Sequence, residues 1–250
     1  ARRIRRTAKR TARNILSQYA DSSFRPLRME FVFGQNGLSP IVLELSDGTF
    51  VYLQGRIDRV DVMTGGGLRV IDYKSGARKF DPTLVYWGLQ LQLLLYLAAA
   101  LSRVPGSHAA GFFYCRIADP MVKTESRIRE EVEKQIAEKL SLQGISLSDV
   151  AILRAQGGSV ASMVTKDGKP NGRYAASMVD EAGMEKLLDF AKRKAAELAG
   201  EIYRGEMDDS PVERGAFNAC QNCEYSAICA FDPLRKPRRR LTAKKLDDLL

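Results

Sequence analysis

Two short segments of this 250-residue chain carry residues whose types and spacing can do chemistry. Gly55-Arg56-Ile57-Asp58-Arg59-Val60-Asp61 is followed, after a Gly65-Gly66-Gly67 turn, by Val70-Ile71-Asp72-Tyr73-Lys74-Ser75-Gly76. Two strands joined by such a hairpin would set Asp58 beside Asp72, and the period of a strand would turn Asp72 and Lys74 to one face. Adjacent carboxylates repel each other, so the pair is stable mainly with a cation between them. Hard carboxylate oxygens, the Tyr73 backbone carbonyl and water suit Mg²⁺ or Mn²⁺. Lys74 beside that metal could hold or help deprotonate an attacking water, or neutralise charge on a phosphate in the transition state. The competing reading is structural: a turn salt bridge and solvent-facing strand ends.

A second constellation lies near the end of the chain. Cys220, Cys223 and Cys229 form a C-x₂-C-x₅-C pattern ahead of Pro233. Three thiolates on one loop suit zinc or an iron–sulfur cluster, and both want a fourth ligand. The remaining cysteine, Cys115, is far away in a β-prone segment, where a free thiol is commonly a small buried hydrophobe. Clustering of this kind suggests a metal or cluster site in a reducing compartment rather than two disulfides.

The elements that must position these residues follow from periodicity and turn residues. Ile4, Ala8, Ala12, Ile15 and Tyr19 recur at three and four residues, which predicts an amphipathic helix over 2–20 with arginines outward. Arg28 to Phe33, Ile41 to Leu45, Phe50 to Val62 and Leu68 to Tyr73 read as an antiparallel meander, punctuated by Asn36-Gly37, Asp47-Gly48 and the glycine triplet. Residues 82–103 read as one buried helix stopped by Pro105-Gly106, and Ala109 to Ile117 as a strand. Residues 119–179 read as an insertion, helical from Glu125 to Leu140, with a hairpin formed by Val160 to Thr165 and Arg173 to Met178. Asp180 to Arg204 is a long helix with acids at its start.

Composition excludes several classes. With 45% hydrophobic and 28% charged residues and 9 prolines the chain can bury a core, and disorder and collagen-like repeats are set aside. No apolar run reaches the roughly 18 to 20 residues that span a bilayer, so a soluble protein is expected. Ala1 opens the chain with no signal-peptide pattern, and an excised piece of a longer cytoplasmic protein is expected. The net charge of +9 sits at the ends: seven basic residues and no acid over 1–13, seven basic and three acidic over 232–250, and net −2 between. Such ends fit nucleic acid, or else a solvated helix face and a disordered tail.

Taken with Leu89-Gln90-Leu91-Gln92-Leu93-Leu94-Leu95-Tyr96, the two strand motifs resemble those of the RecB-type nucleases of the PD-(D/E)XK superfamily. The similarity is nearer to the C-terminal nuclease domain of the AddB family, found in bacterial AddAB helicase–nucleases. It runs from about Arg2 to Pro233, through Glu30-Phe31-Val32-Phe33-Gly34, Phe112 to Pro120 and Cys220 to Pro233. The resemblance implies an α/β, restriction-endonuclease-like core: helix, mixed sheet of four to five strands, helix. Residues 1–233 would be the nuclease domain, with 119–179 inserted, a cysteine-cluster loop at 220–229, and 234–250 as a basic tail.

Residue by residue, the resemblance implies Asp58 and Asp72 as metal ligands and Lys74 as the catalytic lysine. Gln92 and Tyr96 match the family's Gln-x-x-x-Tyr pair; four apart, they share a helix face and could reach one phosphate or water network, or be polar groups satisfied inside an apolar helix. Glu30 matches a position in the first strand that supports the site. The family carries a [4Fe–4S] cluster whose remaining cysteine lies upstream, and no cysteine here precedes Cys115. It also has an upstream metal-binding histidine, which His108, in a Pro-Gly-Ser-His loop, does not match. Tyr86 and Trp87 could stack on an unpaired base or belong to the core. The implied activity is Mg²⁺-dependent exonucleolytic cleavage of 5′-terminated single-stranded DNA in double-strand-break repair, beside an AddA-like helicase–nuclease partner. The rival is a non-catalytic module that grips a DNA end or a helicase partner through a vestigial site; a zinc-ribbon-like structural protein is the third class.

Overall fold

The hairpin that carries the two carboxylates lies in the middle of the main sheet. A computed structural model describes residues 1–35, 39–123, 128–206, 208–215, 217–229 and 231–250. In chain order the elements are α1 (Arg2–Ala20), β1 (Arg25–Phe33), β2 (Ile41–Glu44), β3 (Phe50–Leu53), β4 (Gly55–Val62), β5 (Gly67–Lys74), α2 (Pro82–Tyr86), α3 (Gln92–Leu101), β6 (His108–Arg116), α4 (Arg129–Lys139), β7 (Gln143–Leu147), α5 (Val150–Gln156), α6 (Gly158–Ala161), β8 (Met178–Val179), α7 (Glu181–Tyr203), β9 (Val212–Arg214), β10 (Phe217–Asn218) and β11 (Arg239–Arg240). Six strands form one mixed sheet in the order β1-β4-β5-β6-β7-β8. The β5–β6 and β7–β8 pairs are parallel and the others antiparallel. This is the α/β, restriction-endonuclease-like architecture the motifs imply, with six strands in the sheet rather than the four to five expected.

Strand β5 is buried from Gly67 to Asp72 because both faces of the sheet are covered. Leu68 and Val70 turn to one face and pack with Leu93, Leu94 and Leu97 of α3 and Leu187 and Ala191 of α7. Ile71 turns to the other and packs with Phe113, Cys115, Leu153 and Val160. Each such side chain, fully buried, contributes about 1.5–3 kcal/mol. A strand covered on both sides reads as a nearly continuous apolar run, so the two charged residues within it, Arg69 and Asp72, must find partners or a ligand.

Four expectations change. The run 50–62 is two strands: β3 pairs with β2 in a separate two-stranded sheet, while β4 lies between β1 and β5. The break falls at Gln54, against which Gly34 packs at a φ of 74° so closely that a Cβ there would sit 2.6 Å from the Gln54 Cβ. The helix expected over 82–103 is likewise two: Gly88, at φ 79°, ends α2 and lets the chain turn before α3. Residues 119–179 do more than decorate the core, since β7 and β8 extend the main sheet. The hairpin expected there does not form: Val160 is buried in α6, and residues 172–177 make a 3-10 turn. The Asn36-Gly37 turn and the Glu125 start of the α4 helix lie outside the described residues.

The fourth change concerns α1. Ile4 is 76% exposed, and the face turned to the protein is polar. Arg10 pairs with Asp119 and Glu133, Asn14 Nδ2 donates to the Leu140 carbonyl at 3.2 Å, and Gln18 Nε2 approaches Cys115 Sγ at 3.6 Å. The surface beneath offers carboxylates, a carbonyl and a thiol, so the stripe of alanines and isoleucines has nothing apolar to bury against. Tyr19 alone of the predicted stripe covers a charged core group, lying over the Arg59 guanidinium at 4.5 Å.

The C-terminal segment folds back rather than trailing into solvent. Strand β11 pairs with β9, Lys244 N–H donates to Thr83 Oγ1 at 2.9 Å, and Leu249 is 3% exposed in the main core. Among the described residues no helix is long and apolar enough to cross a membrane.

Candidate active site

Strands β4 and β5 pair Arg59 with Ile71 and Val60 with Val70, and the same register one step on sets Asp58 opposite Asp72. Asp58 Oδ2 accepts the backbone N–H of Tyr73 at 2.8 Å. Asp72 is 2% exposed. Lys74 Nζ lies 2.7 Å from its Oδ2 as an ion pair, yet no hydrogen bond of good geometry reaches that buried oxygen. Burial raises the Asp72 pKa most; Lys74 opposes the rise and the neighbouring Asp58 charge adds to it. A buried carboxylate facing a second carboxylate is a donor set for a hard divalent cation. Among the described residues no three His, Cys, Asp or Glu side chains gather into a metal-holding group. Two carboxylates are nonetheless the usual complement for Mg²⁺, which fills its remaining positions with water and substrate phosphate oxygens.

Helix α3 completes the constellation. Gln92, its first residue, accepts from Lys74 Nζ at Oε1 (3.2 Å) and donates from Nε2 to the Tyr96 hydroxyl (2.9 Å). The break after α2 makes this possible. Gln90 Oε1 accepts the Asp81 N–H and its Nε2 donates to the Lys79 carbonyl, both at 2.8 Å, which pins the loop and fixes where α3 starts. Asp72, Lys74, Gln92 and Tyr96 thus form a connected polar chain.

The opposite face of the same hairpin carries a fully buried ion triad. Asp61 accepts two bonds from Arg59 at 2.6 Å and one from Arg69 at 2.9 Å. Burial works against the Arg59 charge but Asp61 outweighs it and raises the pKa, whereas burial pulls Arg69 down. Arg59 also donates to the Tyr73 hydroxyl at 3.3 Å, so the residue whose N–H holds Asp58 is gripped from behind.

Other candidates stand apart. Glu30 falls across from Asp58 in the β1–β4 register but takes a φ of 52°, and its exposed carboxylate pairs with Arg56 at 2.8 Å. His108 opens β6 at the end of the sheet away from Lys74, about 26 Å distant at ~3.3 Å per residue. Cys220, Cys223 and Cys229 are free thiols in a turn and do not gather as a cluster cage. Cys115 is fully buried and burial pushes its thiol pKa up, with Gln18 partly offsetting. Tyr86 stacks on Phe190 and lies under Lys244, and Trp87 Nε1 donates to the Thr242 carbonyl, so the folded-back C-terminal segment occupies both.

The sequence motifs did not single out the residues beside Lys74. Parallel pairing sets Tyr114 next to Asp72 and Arg116 next to Lys74. A cleft of about 760 Å³ opens there, lined in part by Lys74, Arg78, Tyr114, Arg116 and Lys139. Burial first, then the Asp72 charge, push the Tyr114 hydroxyl pKa up to about 12. The apolar run ahead of Arg116 signals a buried strand, but nothing local signals its neighbour.

The chain matches the PD-(D/E)XK nuclease superfamily over residues 1–230. It is 36% identical over 247 residues to the B subunit of the ATP-dependent helicase/deoxyribonuclease from Alkaliphilus metalliredigens, covering 92% of this chain and 21% of that protein. The protein of the same name from Moorella thermoacetica is 38% identical over 237 residues, covering 88% and 20%, and that from Clostridium tetani 36% over 267, covering 99% and 23%. The chain therefore spans about a fifth of the length of the curated relatives it matches.

Proposed function

Because the chain belongs to the PD-(D/E)XK nuclease superfamily, we propose that Asp58, Asp72 and Lys74 are the centre of a metal-dependent phosphodiester hydrolase acting on DNA. The observation that carries this reading is the juxtaposition of two carboxylates, buried Asp72 opposite Asp58, with Lys74 Nζ 2.7 Å from Asp72 Oδ2. Asp58 and Asp72, with the Tyr73 main chain beside them, would hold Mg²⁺ or Mn²⁺. That cation supplies Lewis-acid polarisation of the scissile phosphate and acidifies bound water. Lys74 Nζ, held between Asp72 and Gln92, positions the attacking water and offsets charge building on the phosphate. Gln92 gives Lys74 Nζ a second acceptor beside Asp72 and so fixes its direction, and Tyr96 fixes the Gln92 amide. Water adds to phosphorus, the P–O bond to the 3′-oxygen breaks, and that oxygen takes up a proton.

The relatives are named as components of a helicase/deoxyribonuclease. That likeness supports a nuclease domain of a helicase–nuclease; we further propose, from the motif resemblance alone, an AddA-like partner and exonucleolytic degradation of 5′-terminated single strands during recombinational double-strand-break repair in the cytoplasm. Cys220, Cys223 and Cys229 would be three ligands of a [4Fe–4S] cluster, with the fully buried Cys115 a separate thiol packed in the core. Glu30 would support the site through Arg56. The test is Asp72→Ala in the full natural protein with its partner: Mg²⁺-dependent degradation of single-stranded DNA should vanish. Undiminished cleavage would overturn the assignment.

A further inference from the structure

The cleft beside Lys74 has no part in the chemistry above, and its charge runs against its surroundings. Residues 14–231 are net −2, yet Lys74, Arg78, Lys79, Arg116 and Lys139 line this cleft against one carboxylate, Glu138. Some basic side chains elsewhere, such as Arg10 and Arg214, are paired with carboxylates. Among the described residues Arg78, Lys79, Arg116 and Lys139 make no ion pair, and the Arg116 Nε is buried without any hydrogen-bond partner. Lys139 Nζ donates to the Met121 carbonyl at 2.7 Å, while the buried Arg116 Nε is a donor that an anionic ligand in the cleft would satisfy.

The wall is also continuous with the reacting groups. Arg116 is the register neighbour of Lys74, and the Arg78 charge is felt at Asp72. Lys79 and Gln143 line a neighbouring cavity of about 540 Å³ that reaches Lys245, so the groove extends from Lys74 past the start of β7 toward the C-terminal segment. One wall comes from the loop between β5 and α2, the other from α4.

We propose that this groove is the track of a single DNA strand, with Arg116, Arg78, Lys79 and Lys139 holding the phosphates next to the scissile one. The proposal rests on the nuclease reading and adds which surface holds the strand. The basic lining does not stop at the first cleft, since Lys79 is shared with the next cavity and Lys245 lies in that one, and this length suits a backbone with a charge at every nucleotide better than a single free phosphate.

The experiment uses the full natural protein with its partner and short oligonucleotides. Arg78→Gln with Lys139→Gln removes two exposed cations without disturbing the core, and Arg116→Gln is a second, separate variant. Each should raise KM for single-stranded DNA about tenfold or more, with the loss in KM rather than kcat. The slope of log(kcat/KM) against log salt should fall by about 0.7 per cation removed. Lys169→Gln, a lysine outside the groove, should leave the slope alone. An unchanged slope and KM in both groove variants, with Asp72→Ala inactive, would overturn the groove alone. An active Asp72→Ala protein would instead overturn the nuclease reading beneath it. Equal losses on blunt duplex and single strand would overturn the single-strand assignment.

Discussion

Asp58 Oδ2 accepts the backbone N–H of Tyr73 at 2.8 Å, so a carboxylate on one strand is anchored to the main chain of the next. One oxygen is thereby held and the other is left for a ligand. Asp58→Asn keeps an acceptor for that N–H and removes the charge. Metal-dependent cleavage should fall by about a hundredfold or more, while the thermal midpoint changes little; parallel nuclease and melting measurements check both.

Metal binding should itself be measurable without activity. A cation that binds only the folded protein stabilises it by about 2.7 kcal/mol at one hundred times its Kd. Mn²⁺ should therefore raise the melting temperature of the natural protein and leave that of Asp72→Asn unmoved. An equal rise in both would place the ion elsewhere.

Gln92 touches Lys74 and Tyr96 but no metal-side carboxylate. Its removal takes away the second acceptor that fixes the direction of Lys74 Nζ, and a displacement of ~1 Å at a reacting group costs about a hundredfold. Gln92→Ala should lower kcat by about ten- to a hundredfold with little change in KM. Tyr96→Phe, which loses only the bond that orients the amide, should lose less.

The hairpin of Asp58 and Asp72 was legible because its signals are local: a glycine turn and a two-residue period place Asp58 opposite Asp72, and a helical period places Gln92 above Tyr96. The face of α1 was not legible, because Arg10, Asn14 and Gln18 are turned inward by Asp119, Glu133, Leu140 and Cys115, partners from far along the chain. The break at Gly88 was hidden inside an apolar run whose period continues through it. Arg116 escaped notice for a topological reason, since its nearness to Lys74 comes from parallel pairing across a helical crossover.

The Arg59–Asp61–Arg69 triad places two guanidinium groups on one carboxylate, all fully buried. Removing the carboxylate leaves two uncompensated buried charges, a loss of about 3–5 kcal/mol. Asp61→Ala should be strongly destabilised in urea titration, far more than Asp58→Asn elsewhere on the same strand. Comparable stability for the two would mean that the arginines find other partners.

The four cysteines should separate by chemistry. Thiolate is the reactive form, and burial pushes the Cys115 pKa up, so the thiol stays protonated and shielded at neutral pH. Cys229 is exposed and Cys220 and Cys223 are half-buried. In cluster-free folded protein, iodoacetamide at about pH 7.5 should label these three within minutes and reach Cys115 only after denaturation, as read by peptide mass spectrometry. The buried thiol sits between α1 and the sheet, approached by Gln18 and Asn14. Early labelling of Cys115 would therefore mean that α1 lifts from the sheet in the native protein, and with it the Tyr19 ring that covers Arg59 behind the catalytic strands.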